Sequence, residues 1–483
     1  MAATPSQHRV GFSIDVSCPG CGGELELQSN FFVLTCPHCA SVLRIIMPET
    51  PPAYLVRAKK PKSEVRFVVD RYCRDNGLPL TNSGLSITAV LCPYWKIDAV
   101  MLKVRTITYE VECENEDEFS DTEPEERTRT DINLVPYSTT IIACGSDPAI
   151  PYSLGMRTEF LHMIPFSRES LPDGFVSLPI TQTWSDALAR SEKTVSSLGR
   201  LEEVKPGGHA TRLFRPRGSM VYFPYYLVES PSTGTVRRFA VDAVTGKVAG
   251  EGQDESDRPS QSPVDTVVEF GSLSVMLHRC GNCGVDLPET RSCVYACHNC
   301  DRVEFLESNG LLNRELVAAT NAKPANDRLF PFWAFRLTDT SAADVRSVLG
   351  GLYPSDQLVI PAFAMRSFEG MYRLTKRVTT ASGRLPVETM DRLEKSCEPA
   401  TIGLTEALTL AEVVIQRDLT SKQTRLASAP VGIAPVEARL LYVPFSAENY
   451  FFVDTILHAI TFEQGALGNA KKGTSSPRSL SQQ

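Results

Sequence analysis

Eight of the 14 cysteines in this 483-residue chain fall into two quartets of matching spacing. Cys18, Cys21, Cys36 and Cys39 read C-x2-C, then 14 residues, then C-x2-C; Cys280, Cys283, Cys297 and Cys300 repeat the arrangement across 13 residues. A C-x2-C turn lets two thiolates grip one ion, and two such turns complete a tetrahedron of sulfurs at about 2.3 Å from a zinc ion. Four thiolates leave no coordination position open, so the spacing predicts two structural zinc ions and not a catalytic one. His38 and His298 lie inside the second turn of each quartet and read as bystanders, because each quartet is complete without them. Cys293, four residues before Cys297, is the one alternative ligand. A redox C-x-x-C or a disulfide pair would not account for two matched quartets. Cys73, Cys92, Cys113, Cys144 and Cys397 have no metal spacing and read as small apolar side chains.

Other chemistry is sparse. The chain holds no H-E-x-x-H, G-x-S-x-G, G-x-G-x-x-G after a strand, or G-x4-G-K-[ST]. GNAKKGTS, from Gly468, lacks the lysine after its second glycine and sits in a polar terminal segment. Of the seven histidines, His8, His162, His209, His278 and His458 show no ligand spacing among themselves. Two segments are basic. Lys205 to Arg217 carries Lys205, Arg212, Arg215 and Arg217 with no acid and Phe214 beside them. In Arg366 to Arg384, Arg373 and Arg377 are expected on one face of a strand, near Phe368 and Tyr372. Basic residues interleaved with aromatics are the pattern that clamps a single nucleic-acid strand or another anion.

The elements that must position the cysteines are short. Gly22, Gly23 and Gly284 suit the tight turns after the first pairs. Alternating apolar residues between the pairs, at Glu24 to Leu27 and Phe32 to Leu34, predict the two strands of one small hairpin in each zinc ribbon. Further along, an apolar-Pro-aromatic strand occurs twice, as LCPYWK around Pro93 and LFPFWAF around Pro331. Another pair is VYFPYYLV around Pro224 and LLYVPFSA around Pro444. Amphipathic helices are expected before the latter two, one from Trp184 closed by Gly199 and one from Leu404, and a Val-Asp strand follows each, at Val241-Asp242 and Val453-Asp454. The fold class expected is therefore α+β, with two zinc ribbons, each followed by an antiparallel-sheet-rich α+β unit, and an internal duplication. The expected boundaries are ribbon 10–48, unit 53–249, linker 250–270, ribbon 273–306, unit 308–465 and a disordered tail 466–483. Nine acidic residues lie between Glu112 and Glu126, expected at the tip of a long hairpin.

The charge balance, 49 Lys+Arg against 57 Asp+Glu, gives a net charge of −8 and no general attraction to phosphate backbones. Locally, residues 10–47 carry a net −2 and residues 273–306 a net −1, so neither ribbon offers a basic face. The uncharged run from Asn76 to Trp95 contains Pro79, Pro93, Asn82 and Gly84, which argues against a membrane span. The start of the chain lacks an apolar signal segment, and a cytoplasmic location is the expectation.

The segment VYFPYYLVESPSTGTVRRFAVDAVTGKVAG joins a proline-aromatic strand to a hairpin closed by Thr245-Gly246. Together with the quartets it resembles a group of largely uncharacterised bacterial double zinc-ribbon proteins, loosely labelled transcription-factor-B-type zinc-ribbon or primosomal helicase-like. The resemblance implies no established activity, and the phosphate loop that a helicase needs is missing. The reading reached is a non-enzymatic zinc-binding adaptor or scaffold that works through protein partners. The alternatives are a nucleic-acid-binding protein using Arg212, Arg215, Arg217, Arg373 and Arg377, and an enzyme with a site between the two halves.

Overall fold

The computed structural model describes residues 13–28, 33–46, 50–79, 85–111, 125–145, 147–155, 161–167, 171–201, 209–232, 235–254, 269–271, 273–289, 292–307, 310–312, 316–320, 327–337, 357–390, 392–393, 396–422 and 435–467. The chain is α+β, with strand outweighing helix by 48% to 19% among the described residues, so sheets set the architecture and helices cover them. It divides into two units, 1–278 and 279–483.

In the first unit the elements run β1 (Ser13–Ser17), β2 (Glu24–Gln28), β3 (Val33–Thr35), β4 (Val42–Ile46), β5 (Ala53–Val56), α1 (Val65–Asp75), β6 (Ser86–Val111), β7 (Glu125–Ile142), β8 (His162–Pro165), β9 (Phe175–Ser177), α2 (Trp184–Leu201), β10 (His209–Ser232), β11 (Thr235–Asp242), β12 (Val248–Asp254) and β13 (Ser274–Leu277). The main sheet has ten strands, ordered β12-β11-β10-β5-β8-β1-β2, with β6 pairing β10, β7 and β9. Strand β5 shows why its sequence is continuously apolar: Tyr54 and Val56 belong to the core on one face, Ala53 and Leu55 to the core on the other. Helix α2 buries Ala187, Ser191 and Val195, one helical turn apart, against this sheet. Its first turn is closed reciprocally: the Thr183 hydroxyl donates to Asp186 Oδ2 at 2.7 Å, and Asp186 N–H donates back to Thr183 Oγ1 at 3.2 Å.

In the second unit the elements are β14 (Val294–Ala296), β15 (Val303–Glu307), β16 (Gly310–Leu312), β17 (Leu316–Ala319), β18 (Arg328–Leu337), β19 (Gln357–Pro361), α3 (Phe368–Ser382), β20 (Val387–Met390), α4 (Leu404–Lys422), β21 (Pro435–Glu448), β22 (Phe451–Asp454) and β23 (Thr461–Glu463). Its seven-stranded sheet is ordered β19-β18-β21-β17-β20, with β22 pairing β21 and β23. Alternation along β18 sends Phe330 and Phe332 to one core and Leu329, Phe335 and Leu337 to the other. Phe330 meets the rings of Phe363, Phe445, Phe452 and Phe462 with centroids 5.0–5.5 Å apart, so aromatic packing dominates that face.

The proline-aromatic strands pair in matching registers. In the first unit Pro93 faces Tyr222 and Pro224 faces Leu91; in the second Pro331 faces Tyr442 and Pro444 faces Leu329. On the opposite edge of the central strand, Tyr222 pairs in parallel with Leu55 and Tyr442 with Ala318. The same edge then continues antiparallel, Tyr225 facing Asp242 and Phe445 facing Asp454. Both prolines that face a neighbour's carbonyl edge accept one backbone bond, Ala143 N–H to Pro93 O at 2.8 Å and Ala362 N–H to Pro331 O at 2.9 Å. Trp95 Nε1–H donates to Gln182 O at 2.9 Å and Trp333 Nε1–H to Ile402 O at 2.8 Å, each tying the strand to the residue two places before a helix.

Several boundaries sit differently from the sequence expectation. Residues 250–254 belong to β12, which pairs with β11, and Phe270 packs edge-on against Tyr222 at 6.5 Å. Ser274 to Leu277, expected at the start of the second ribbon, pair with β4 of the first, Leu277 facing Leu43. Ala466 accepts the Arg366 N–H at 2.8 Å and Leu467 packs on the second unit, so the fold extends past 465. The acidic stretch 112–124, most of the linker and the tail from 468 lie outside the described residues; β6 and β7 do pair as one long antiparallel hairpin up to Val111 and Glu125.

Candidate metal centres

Each C-x2-C is the turn of its own structure. Cys18 and Cys21 lie between β1 and β2, which pair with one another, and Cys36 and Cys39 lie between β3 and β4, which pair with one another. This corrects the expectation that the two segments between the cysteine pairs form one hairpin: β2 and β3 each pair with the strand on the far side of their own cysteine turn. The physical reason is that the turn closes a hairpin by itself. Cys18 N–H donates to Gly23 O and Gly22 N–H to Cys18 O, both at 2.8 Å; Cys36 N–H donates to Ser41 O and Ala40 N–H to Cys36 O, both at 2.9 Å. The second ribbon repeats this, with Cys280 N–H to Val285 O at 2.9 Å and Cys297 N–H to Arg302 O at 2.9 Å.

The residue after every second cysteine is left-handed: Gly22 at φ 73°, Ala40 at 59°, Gly284 at 74° and Asp301 at 53°. That conformation reverses the chain immediately behind the two sulfurs, and glycine adopts it without strain. Ala40 and Asp301 take it without a glycine, which is why the glycine signal marks only half the turns.

The four thiolates of each quartet converge, all ligand atoms lying within 4.8 Å of one another. Cys18 and Cys39 Sγ are 3.8 Å apart, as are Cys21 and Cys36; Cys280 and Cys300 are 3.6 Å apart, and Cys283 and Cys297 3.4 Å. Four sulfurs around a tetrahedral ion at about 2.3 Å are separated by about 3.8 Å, so both clusters are the right size for a metal ion. No family model, curated protein or solved structure matches this chain. The chemistry therefore rests on the donors themselves. The Ser41 side chain and backbone hold the Cys39 thiol down at about 6. The Asn299 side chain and the Val285 backbone hold Cys283 at about 6 as well. Both are thiols outside the buried core, and the Arg302 backbone and Asn282 side chain lower Cys300 too, so each ribbon presents at least one ready thiolate to an arriving cation. Cys280 behaves oppositely, burial pushing it up to about 12. A bound cation reverses that preference, because it holds all four sulfurs as thiolates.

The surroundings of the two clusters differ. In the first, Cys18 and Cys36 form a small apolar core with Leu25 and Leu43, covered by Val275 and Leu277 of β13. In the second, the residue four places past the last cysteine is Glu304 where the first has Leu43. Glu304 is only 2% exposed. Its Oε1 accepts the Gly281 N–H at 2.7 Å, sits 3.7 Å from Cys280 Sγ and faces Arg302 Nε at 3.6 Å. It fixes the backbone between two ligand cysteines, and no motif marks it in the sequence; nor does any motif mark Ser41 or β13.

The expected bystanders stand aside. The His38 ring meets Glu24 O at 3.0 Å, and His298 is exposed; neither belongs to the sulfur cluster. Cys293 also lies outside it, its Sγ 3.6 Å from Ile402 O at the edge of the second unit's core.

The arginines expected to face an anion lie on β10 in the first unit and on helix α3 in the second. Arg373 and Arg377 lie on helix α3, not on a strand: Ser367 caps it by accepting the Gly370 N–H at 3.1 Å, and Met371, Leu374, Val378 and Ala381 bury its inner face at helical spacing. The run Val378, Thr379, Thr380 imitates a strand, and tertiary burial overrides it. Arg373 pairs with Glu369 at 2.9 Å, while Arg377 donates to Thr461 O at 2.6 Å. Glu369 also takes Arg417 at 2.7 Å, whose guanidinium lies 3.6 Å over the Tyr372 ring, a contact that sequence reading missed across 45 residues. Arg215 has a left-handed φ of 41° in the bulge where the β6 and β10 register shifts between Phe214 and Arg217. Arg217 is exposed on β10. Lys205 and the side chain of Arg212 lie outside the described residues.

Proposed function

We propose that this chain is a zinc-binding adaptor: two zinc ions, each held by four thiolates, clip two repeated units, and the protein acts through protein partners without catalysing a reaction. The observation that carries the reading is the pair of four-sulfur clusters, in each of which all four ligand atoms lie within 4.8 Å of one another. Sulfur-only, tetrahedral donor sets favour zinc over hard cations, which take oxygen ligands. With every coordination position filled by sulfur, each ion serves the fold. The matching registers around Pro93, Pro224, Pro331 and Pro444, and the two tryptophan tethers, support descent of both units from one duplicated ribbon-plus-sheet ancestor. The cytoplasmic location and the likeness to bacterial double zinc-ribbon proteins belong to the same reading; no helix among the described residues is long and apolar enough to cross a membrane.

Arg373 pairs with Glu369 and Arg377 donates to Thr461, so both arginines of the nucleic-acid alternative on helix α3 hold partners within the chain. Tagged full-length protein, captured with its partners from its own cells, tests the adaptor role. Specific co-purifying proteins are expected. Tight binding to single-stranded nucleic acid that weakens steeply as salt rises, with no protein captured, would overturn it.

A further inference from the structure

We propose that Cys92 and Cys144 form a disulfide site that cross-links the first unit when a low-molecular-weight disulfide such as oxidised glutathione is present. The two Sγ atoms are 3.2 Å apart. Both side chains are fully enclosed, in one core with Tyr94, Phe223 and Tyr225. The backbone places them face to face. Tyr94 opposes Ile142 and Ala143 donates its N–H to Pro93 O, so the next step of the ladder sets Cys92 opposite Cys144 in a non-hydrogen-bonded pair. Cα atoms at such positions are about 4.5 Å apart, inside the range of roughly 4.4–6.8 Å that a disulfide spans. Pro93 supplies no N–H to the ladder beside the pair, and the Ala143 carbonyl accepts the Thr181 and Gln182 N–H groups instead, at 2.8 and 3.0 Å.

The fold does not require sulfur here. In the second unit the corresponding positions, one residue before Pro331 and one after Ala362, hold Phe330 and Phe363, whose rings pack 5.1 Å apart. Two apolar rings satisfy that core by packing alone; the first unit places two nucleophiles there instead.

The exchange balances in two steps. One cysteine thiolate attacks a sulfur of glutathione disulfide, a protein–glutathione mixed disulfide forms, and one glutathione leaves as thiolate. The second cysteine then attacks the protein-side sulfur and expels the other glutathione. The protein dithiol loses two electrons, the glutathione disulfide gains them, and the two thiol protons end on the released glutathiones. Burial pushes the Cys92 thiol well above its ordinary value, so the closed unit holds that thiol protonated and unreactive. The first step accordingly runs when the end of β7 parts from β6, and the closed unit then protects whichever redox state it has enclosed.

The test uses the full-length, metal-loaded protein, whose ligand thiols the metal protects. It is incubated with oxidised glutathione in buffer and in sub-denaturing urea, then denatured, alkylated and mapped by peptide mass spectrometry. A peptide linking Cys92 to Cys144 is expected, about 2 Da lighter than the two thiol peptides combined. It should form faster in urea and disappear with dithiothreitol. The oxidised protein should unfold at a midpoint higher by roughly 5 °C or more, and Cys144→Ala should lose both the cross-link and the shift. Recovery of Cys92 and Cys144 as fully alkylated thiols, or only as mixed disulfides with glutathione, would overturn the proposal. The wild-type map decides the matter even if the variant folds poorly.

Discussion

Replacing Glu304 with alanine should weaken metal binding at the second quartet and leave the first untouched. The carboxylate is buried, and its Oε1 accepts the Gly281 N–H at 2.7 Å between Cys280 and Cys283. Glu304→Ala strands that N–H without an acceptor, at a cost of about 1–3 kcal/mol. Spent on the geometry of a metal-binding turn, this corresponds to a loss of roughly 10–100-fold in affinity, the range typical of groups that orient ligands. Glu304→Gln keeps a carbonyl acceptor for Gly281 while removing a negative charge 3.7 Å from the Cys280 sulfur, so its affinity should stay within a few-fold of the parent. Competition against a chromophoric chelator resolves the two sites, because Leu43 stands where Glu304 does in the other ribbon and gives an internal reference. A curve for Glu304→Ala that superimposes on the parent, or that weakens both sites equally, would refute the argument. So would a Glu304→Gln variant as impaired as the alanine.

Other consequences follow from the same geometry. Val275→Asp with Leu277→Asp should uncover the apolar core shared with Cys18 and Cys36 and lower metal affinity at the first quartet alone, measured by the same chelator competition. Thr183→Ala removes the reciprocal cap of α2 and should cost about 0.5–2 kcal/mol in urea unfolding of the first unit. Although burial opposes it, the Arg417 and Arg373 guanidiniums hold the Glu369 carboxyl below the usual carboxylate range. Its folded pKa is thus below its unfolded one, and the stabilisation is full above the ordinary carboxylate pKa and lost as pH falls through the lowered value. Arg417→Met should move the Glu369 carboxyl titration, followed by carbon-detected NMR, back up toward the ordinary range; an unchanged titration would remove Arg417 as the cause.

What could be read from the sequence was whatever local spacing encodes. A C-x2-C turn builds its own ligand pair from four consecutive residues, so Cys18 to Cys39 and Cys280 to Cys300 were visible without a fold. The proline-aromatic strands and the helices from Trp184 and Leu404 were visible because alternation and helical periodicity survive along one segment. What escaped depends on partners far along the chain. Strand β13 joins the first ribbon across more than two hundred residues, and nothing in SVML says which sheet edge it will meet. Helix α3 carries β-branched residues on a face that burial made helical, so Arg373 and Arg377 were placed on a strand. Cys92 and Cys144 look like isolated apolar residues until β6 and β7 pair and set them side by side.

Metal content of the full-length protein tests the central claim most directly. Elemental analysis after exhaustive dialysis should find about two zinc ions per chain, with Cys36→Ser and Cys297→Ser each retaining about one, as two independent four-thiolate sites require. One ion or none in the parent, or the same content in both variants as in the parent, would contradict the account.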